Sequence, residues 1–277
     1  TGNASINVLQ GHHQFQTVVN LVTNTDVSVA ATSSLSFNNA LNLGGLTLTK
    51  TGDGTLNINS SLNSGTGSVV VSAGTVGGSG EVGGDLTNSG GTVAPGTSPG
   101  KLSVAGNYLQ TSGSLLIEID GTTAESQYDV LDVTGSLTMN GGSLDVVLGF
   151  TPAVSDTFDI LNFASANGAG VTLNLGSPVG SFVTWDSSQL FIDGSLSVLS
   201  VVAPREWVTD GSGDWNLGSN WSSGTIPNSN TEAAVFGSAI TSSRTVFTNA
   251  AVTVKSIQFD NDDTYAIAGG GSVNLEA

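Results

Sequence analysis

Chemistry in this chain has to come from carboxylates, hydroxyls and indoles, because the sequence holds 22 Asp and Glu, two His and no Cys. Glu118 and Asp120 sit at i, i+2 on one strand face, and Asp129 and Asp132 follow closely. Paired carboxylates serve glycoside hydrolysis when they stand about 5–10 Å apart across a bond, a distance the sequence does not fix. Asp260, Asp262 and Asp263 around Asn261 form the densest acidic run, and Asp210 and Asp214 form a second oxygen cluster. Calcium takes six to eight oxygens from such a loop, although the Gly and terminal Glu of an EF-hand are missing here. Calcium at Asp260, Asp262 and Asp263 therefore stands as an option beside a solvated turn, and no other cofactor is expected. His12 and His13 are neighbours and would point to opposite faces of a strand, so they do not share one metal; a turn after Gln10-Gly11 is expected. No serine sits in a Gly-x-Ser-x-Gly turn leading from a strand into a helix. Trp207, Trp215 and Trp221 lie within fifteen residues. Flat rings there would form either a sugar-stacking platform or the core or cap of a C-terminal module.

The elements that must position these groups are strands. Leu46-Thr-Leu-Thr-Lys-Thr-Gly-Asp-Gly-Thr-Leu-Asn-Ile58 is two alternating apolar/polar strings around a Gly-Asp-Gly turn. Alternation sends every second side chain to one face, and glycines beside Asp53 suit the positive φ of a tight turn. Similar strings recur at Ser5–Leu9, Leu35–Phe37, Ser68–Ser72, Lys101–Val104, Val130–Val133, Ser136–Met139 and Ser143–Leu148. Several reuse one phrase, as in Gly54-Thr-Leu-Asn-Ile and Gly135-Ser-Leu-Thr-Met. A sandwich has no reason to repeat a phrase, whereas a solenoid lays each string on its predecessor. The expected fold is all-β with a more sandwich-like C-terminal part: a β-solenoid (β-helix) over residues 1–149, wider strands over 150–203 that continue it as a thicker end or pack on it as a small sandwich, and a Trp-rich β module over 204–277 that leads into a further copy. Glycine-dense 73–100 reads as tight coils closed by a loop rather than as a linker.

Formal charge is −17 with only five Lys and Arg, so nucleic acid and anionic membrane surfaces are poor partners. No apolar run is long enough to span a membrane as a helix. A β-helical polysaccharide lyase would need basic residues that this chain lacks, and the expected role is not enzymatic. The Ser, Thr, Asn and Gly-rich surface points to a secreted or cell-surface bacterial protein.

The segment Trp207-Val-Thr-Asp-Gly-Ser-Gly-Asp-Trp215-Asn-Leu-Gly-Ser-Asn-Trp221, continuing to Pro227-Asn228 and Ala234-Val-Phe236, resembles the opening module of autotransporter-associated β-strand repeat proteins. Leu48-Thr-Lys-Thr-Gly-Asp-Gly-Thr-Leu56 resembles their repeat. Gly91–Gly100, Gln127–Val133 and Asp156–Phe163 resemble later stretches of the same proteins. The resemblance implies a secreted β-helical surface or fibre protein without catalysis. In that family the tryptophan module comes first, whereas here it comes last. Ser272-Val-Asn-Leu-Glu-Ala277 joined to Thr1-Gly-Asn-Ala-Ser-Ile-Asn-Val8 reads as one strand-turn-strand. The permuted order predicts a head-to-tail junction between copies, built from Thr1, Ile6, Val8, Val273, Leu275 and Ala277, as tandem modules or as separate subunits. The alternative reading is a carbohydrate-binding surface module using Trp207, Trp215 and Trp221.

Overall fold

A computed structural model describes residues 2–61, 66–178 and 181–276. Nearly all regular structure among them is β; the one helical turn is the short 3-10 segment Gly218–Asn220. The chain divides into two compact units, Thr1–Gly176 with Trp185–Val198, and Ser177–Thr184 with Leu199–Ala277. Residues 150–203 are shared between the units.

In the first unit the alternating strings pair in parallel with their counterparts on the next pass of the chain. One row runs from Ala4–Val8 through Thr25–Val29, Thr47–Thr51 and Ser68–Val71 to the first half of Asp85–Pro95. A second row takes His12–Phe15, Ser34–Phe37, Thr55–Ile58, Thr75–Gly78 and the second half of Asp85–Pro95. Both rows continue through the long strand Tyr108–Ile119, then diverge to Ser136–Met139 and Ser143–Leu148. A third row includes Glu81–Val82, Lys101–Val104, Val130–Val133 and Leu161–Asn162. The register offset is 21 residues from Ser34 to Thr55, 17 from Thr75 to Thr92 and 29 from Ser114 to Ser143. The shortest offset falls in the glycine-dense stretch 73–100, which carries paired strands.

Burial follows the alternation. Val27, Val29, Leu48, Val69, Val71 and Leu86 of the first row and Phe37, Leu56, Ile58, Val76 and Val93 of the second are fully enclosed. Each such side chain gains about 1.5–3 kcal/mol from leaving water. In-register stacking also places like on like: Phe15 lies flat on Phe37 at 5.2 Å. Outward positions form polar columns. Asn59 donates to Asn38, and Asn38 to Gln14, each at 2.8 Å. Hydroxyls line up from Ser34 through Thr55, Thr75, Thr92 and Ser114 to Ser143 and Thr172.

The Gly52-Asp53-Gly54 turn does not fold its two strands onto each other. Thr47–Thr51 and Thr55–Ile58 each pair with other passes, so the turn is a corner. Gly52 takes the positive φ expected (+70°), while Gly54 is needed for close approach: a Cβ there would stand 2.2 Å from the Ala30 carbonyl oxygen.

Parallel pairing also governs both sheets of the Trp-rich module at residues 204–277. Arg205–Glu206, Ser229–Phe236, Val252–Phe259 and Val273–Leu275 form one parallel sheet. Gly213–Asp214, Arg244–Phe247 and Tyr265–Ala268 form another. Sandwich sheets pair antiparallel, because short hairpins and Greek-key links reverse the chain. Here each strand returns in the same direction after a full pass. Antiparallel pairing occurs instead at Thr157–Asp159 against Ser195–Val202. There Phe158 is buried between Tyr128 and Trp185, with ring centres 5.4 and 5.9 Å away.

Candidate functional site

The inner corner between the first two rows carries the most unusual side chains of the molecule. Lys50 occupies an inward position of the Leu46-Leu48-Lys50 alternation and is fully buried. Its ammonium donates to the Thr51 and Gly52 carbonyls of its own corner, at 2.9 and 2.7 Å, and to Ala73 of the next pass at 3.1 Å. Burial lowers its pKa to about 8, against the pull of Asp53. Asn88 repeats the device: its amide donates to Ser114 of the next pass at 2.9 Å, and its oxygen accepts the Gly90 and Gly91 N–H groups. Gln110 repeats it again, donating to Gly141 and Ser143 and accepting the buried Tyr108 hydroxyl at 2.7 Å. Corner carbonyls left unpaired in the interior cost about 1–3 kcal/mol each. The three side chains satisfy them and tie one pass to the next.

The carboxylates singled out in the sequence have mostly structural partners. Asp129 is buried, and its two oxygens accept the N–H groups of Gly100 (2.7 Å) and Glu118 (2.9 Å). Burial raises its pKa to about 6; the two amides oppose that shift, and Glu118 and Asp120 add to it. Asp132 accepts from Asn162 in an outward column, and Asp120 is exposed. Glu118 is half-buried and accepts the Ser98 hydroxyl. Residues 96–100 do spell Gly-Thr-Ser-Pro-Gly, with Ser98 at φ +72°, but they lead from one strand into another and carry no helix.

The tryptophans are core. Trp207, Trp215 and Trp221 are 1%, 0% and 2% exposed, clustered around Phe236 with ring centres 5.0–6.2 Å apart. Their indole N–H groups are satisfied by the carbonyls of Thr209, Pro227 and Trp215. A sugar-stacking platform needs an exposed ring face, so these three rings do not supply the glycan contact held as an alternative.

Asp260 and Asp262 are exposed and Asp263 half-buried in a turn organised by Asn261. That amide donates to Gly237 and Ile240, and its oxygen accepts the Asp263 N–H at 2.7 Å. No cluster of three or more acidic or histidine side chains with metal-binding geometry occurs among the described residues. Asp210 binds Thr241 and Arg244, and Asp214 accepts from Asn249 and from the Asn216 N–H. His12 and His13 lie in a strand rather than the turn expected; His12 bonds Ser34 and His13 bonds the Gln10 carbonyl. Register with Ser34–Phe37 draws them into the second row.

Residues expected at the junction lie on edge strands. In Ala4–Val8, Ile6 is half-buried and Val8 buried; in Val273–Leu275, Val273 is half-buried and Leu275 is 66% exposed. Thr1 and Ala277 lie outside the described residues. The Ala4 N–H donates to Asn24 and the Val8 carbonyl accepts from Ala30, so the amides of Ser5 and Asn7 point to the open side. By the same alternation the Ser272 carbonyl and the Glu276 N–H face Val252–Val254, and Val273 and Leu275 present theirs outward. Among the described residues each of these strands has one pairing partner.

No family model, curated protein or solved structure matches the chain.

Lys50, Asn88 and Gln110 are the residues sequence reasoning missed. The signal was present, since alternation counted from Leu48 or Leu86 places a polar side chain inward two residues later.

Proposed function

We propose that the chain is a module of an extracellular bacterial β-solenoid fibre or adhesin, structural rather than catalytic, whose strands continue head to tail into a further copy. One observation carries this reading: parallel, in-register rows end in edge strands whose outward amides and carbonyls are free among the described residues. Such an edge is a template for another strand, gaining main-chain hydrogen bonds along its length. A heterologous contact of that kind does not close and gives an open filament. Coils stacked through inner corner amides and outer polar columns suit a passive, load-carrying rod. The resemblance to autotransporter-associated repeat proteins supports the same reading and the surface location. No helix among the described residues is long and apolar enough to cross a membrane.

Electron microscopy of the purified chain tests it. Filaments are expected from the native protein, and Asn7→Pro or Leu275→Pro should abolish them with little change in melting temperature. Proline removes an outward N–H that no internal ladder uses. Discrete particles from the native chain, or filaments that persist in both variants, would refute the junction.

A further inference from the structure

The outer face of the second row carries a groove that the fibre role does not use. It measures about 180 Å³ and lies where Thr55, Asn57 and Thr75 meet Leu116, under the loop of Gly96 and Ser98. Gly77 makes the hollow: a side chain there would press to 2.6 Å from the Ala94 carbonyl oxygen, so the sheet is bare at that point. The volume accommodates one sugar ring, or about six waters at ~30 Å³ each. Two carbon surfaces, Ala94 and Leu116, flank the hollow. Around them stand Thr55 and Thr75, whose hydroxyls have no partner among the described residues. The Asn57 amide, which also donates to the Ser36 hydroxyl at 3.3 Å, and the Glu118 carboxylate, which also accepts the Ser98 hydroxyl, stand beside them.

We propose that this groove binds a neutral sugar unit of a polysaccharide. A pyranose offers an apolar C–H face and a rim of hydroxyls that both donate and accept. The groove offers matching carbon on its flanks and matching polar groups around it. Charge selects the class. All five basic side chains are engaged elsewhere: Lys50 in its corner, Lys101 with Glu125, Arg205 with Glu232, Arg244 with Asp210, and Lys255 over Phe182. None lines the groove, and Glu118 stands at its wall, so uronates, sulfated sugars and phosphates meet repulsion without compensation. The Glu118 carboxylate accepts sugar hydroxyls through charge-assisted hydrogen bonds. The hydroxyl column extends the recognition along the row at the β spacing of about 4.8 Å, which favours a chain over a free monosaccharide. This assignment does not depend on fibre formation.

Calorimetric titration of the full chain with cellohexaose, mannohexaose, maltohexaose and an oligogalacturonate tests it, with NMR of the backbone amides alongside. At least one neutral probe is expected to bind at one site per chain. Its shifts should cluster at Thr75–Gly77, Ala94–Ser98 and Leu116–Glu118, and the acidic probe should not bind. Thr75→Val and Glu118→Gln, each with unchanged melting, should weaken that probe at least tenfold. Absence of binding by every neutral probe overturns the proposal. So does equal binding of the oligogalacturonate, a shift map centred elsewhere, or full affinity in both variants. If a variant melts early, the shift map of the native chain decides.

Discussion

Lys50 shows how a charged residue becomes part of an apolar interior: three carbonyl oxygens replace its water, two from its own corner and one from the next pass. Lys50→Met keeps the volume and leaves those carbonyls unpaired, and is expected to cost about 1–3 kcal/mol in urea unfolding at pH 7. The pH dependence has a definite sign. A lysine whose folded pKa is about 8 binds fewer protons than the unfolded chain up to its ordinary value of 10.5. Stability of the native chain should therefore rise relative to Lys50→Met between those limits. A flat difference across that window would show that the ammonium is not desolvated. Asp129 has the opposite slope. With a folded pKa near 6, its contribution is full below the ordinary carboxylate range near 4 and is lost as pH rises through 6. Asp129→Asn should remove that slope while losing one of two amide contacts, about 1 kcal/mol. Denaturant midpoints at pH 4, 5 and 7 measure both effects.

Among the elements, the tryptophan cluster is the clearest case of packing deciding between two chemical readings of one motif. With three indoles enclosed around Phe236 and every N–H satisfied, Trp221→Ala removes a ring from a closed core. A loss of about 3–5 kcal/mol is expected by calorimetry, the range for large aromatic truncations; a loss under 1 kcal/mol would mean the ring packs loosely. Strand positions were legible because alternation is a local property: Thr55–Ile58, Lys101–Val104, Val130–Val133, Ser136–Met139 and Ser143–Leu148 appear in the structure with the bounds their side chains imply. Pairing was less legible. Alternation is identical in a hairpin and in a parallel row, and only the recurrence of one phrase favoured the latter. In residues 204–277 no phrase recurs, so nothing local marked their parallel pairing. The larger hydrophobes of 150–203 read as wider strands or a small sandwich, and there Thr157–Asp159 pairs antiparallel with Ser195–Val202. The Gly52–Gly54 corner and inward Lys50 were readable from the same alternation, but their chemistry depends on carbonyls of another pass, which no local pattern reveals. For the groove, the missing information was again lateral: Thr55, Thr75, Ala94 and Leu116 are far apart in the chain and meet only through register.

At the scale of the whole molecule, charge opposes the edge pairing proposed above. Each chain carries a formal −17, while its few cations are engaged within their own units. Two copies approaching through their edge strands therefore repel at long range, whereas the main-chain hydrogen bonds that would join them act only on contact and are nearly indifferent to salt. Screening changes the first term alone: the Debye length falls from ~30 Å at 0.01 M to ~8 Å at 0.15 M. Filament growth followed by light scattering should thus start sooner at 0.15 M sodium chloride than at 0.01 M, while the stability of formed filaments changes little. Calcium at matched ionic strength separates a further effect. Lateral bridging of carboxylates on neighbouring filaments would produce bundles that a chelator disperses, whereas screening alone would leave single filaments with and without chelator. Growth that is equally fast at both sodium chloride concentrations would mean that electrostatic repulsion does not limit the encounter, and the head-to-tail junction would then have to hold its acidic groups well clear of the approaching copy.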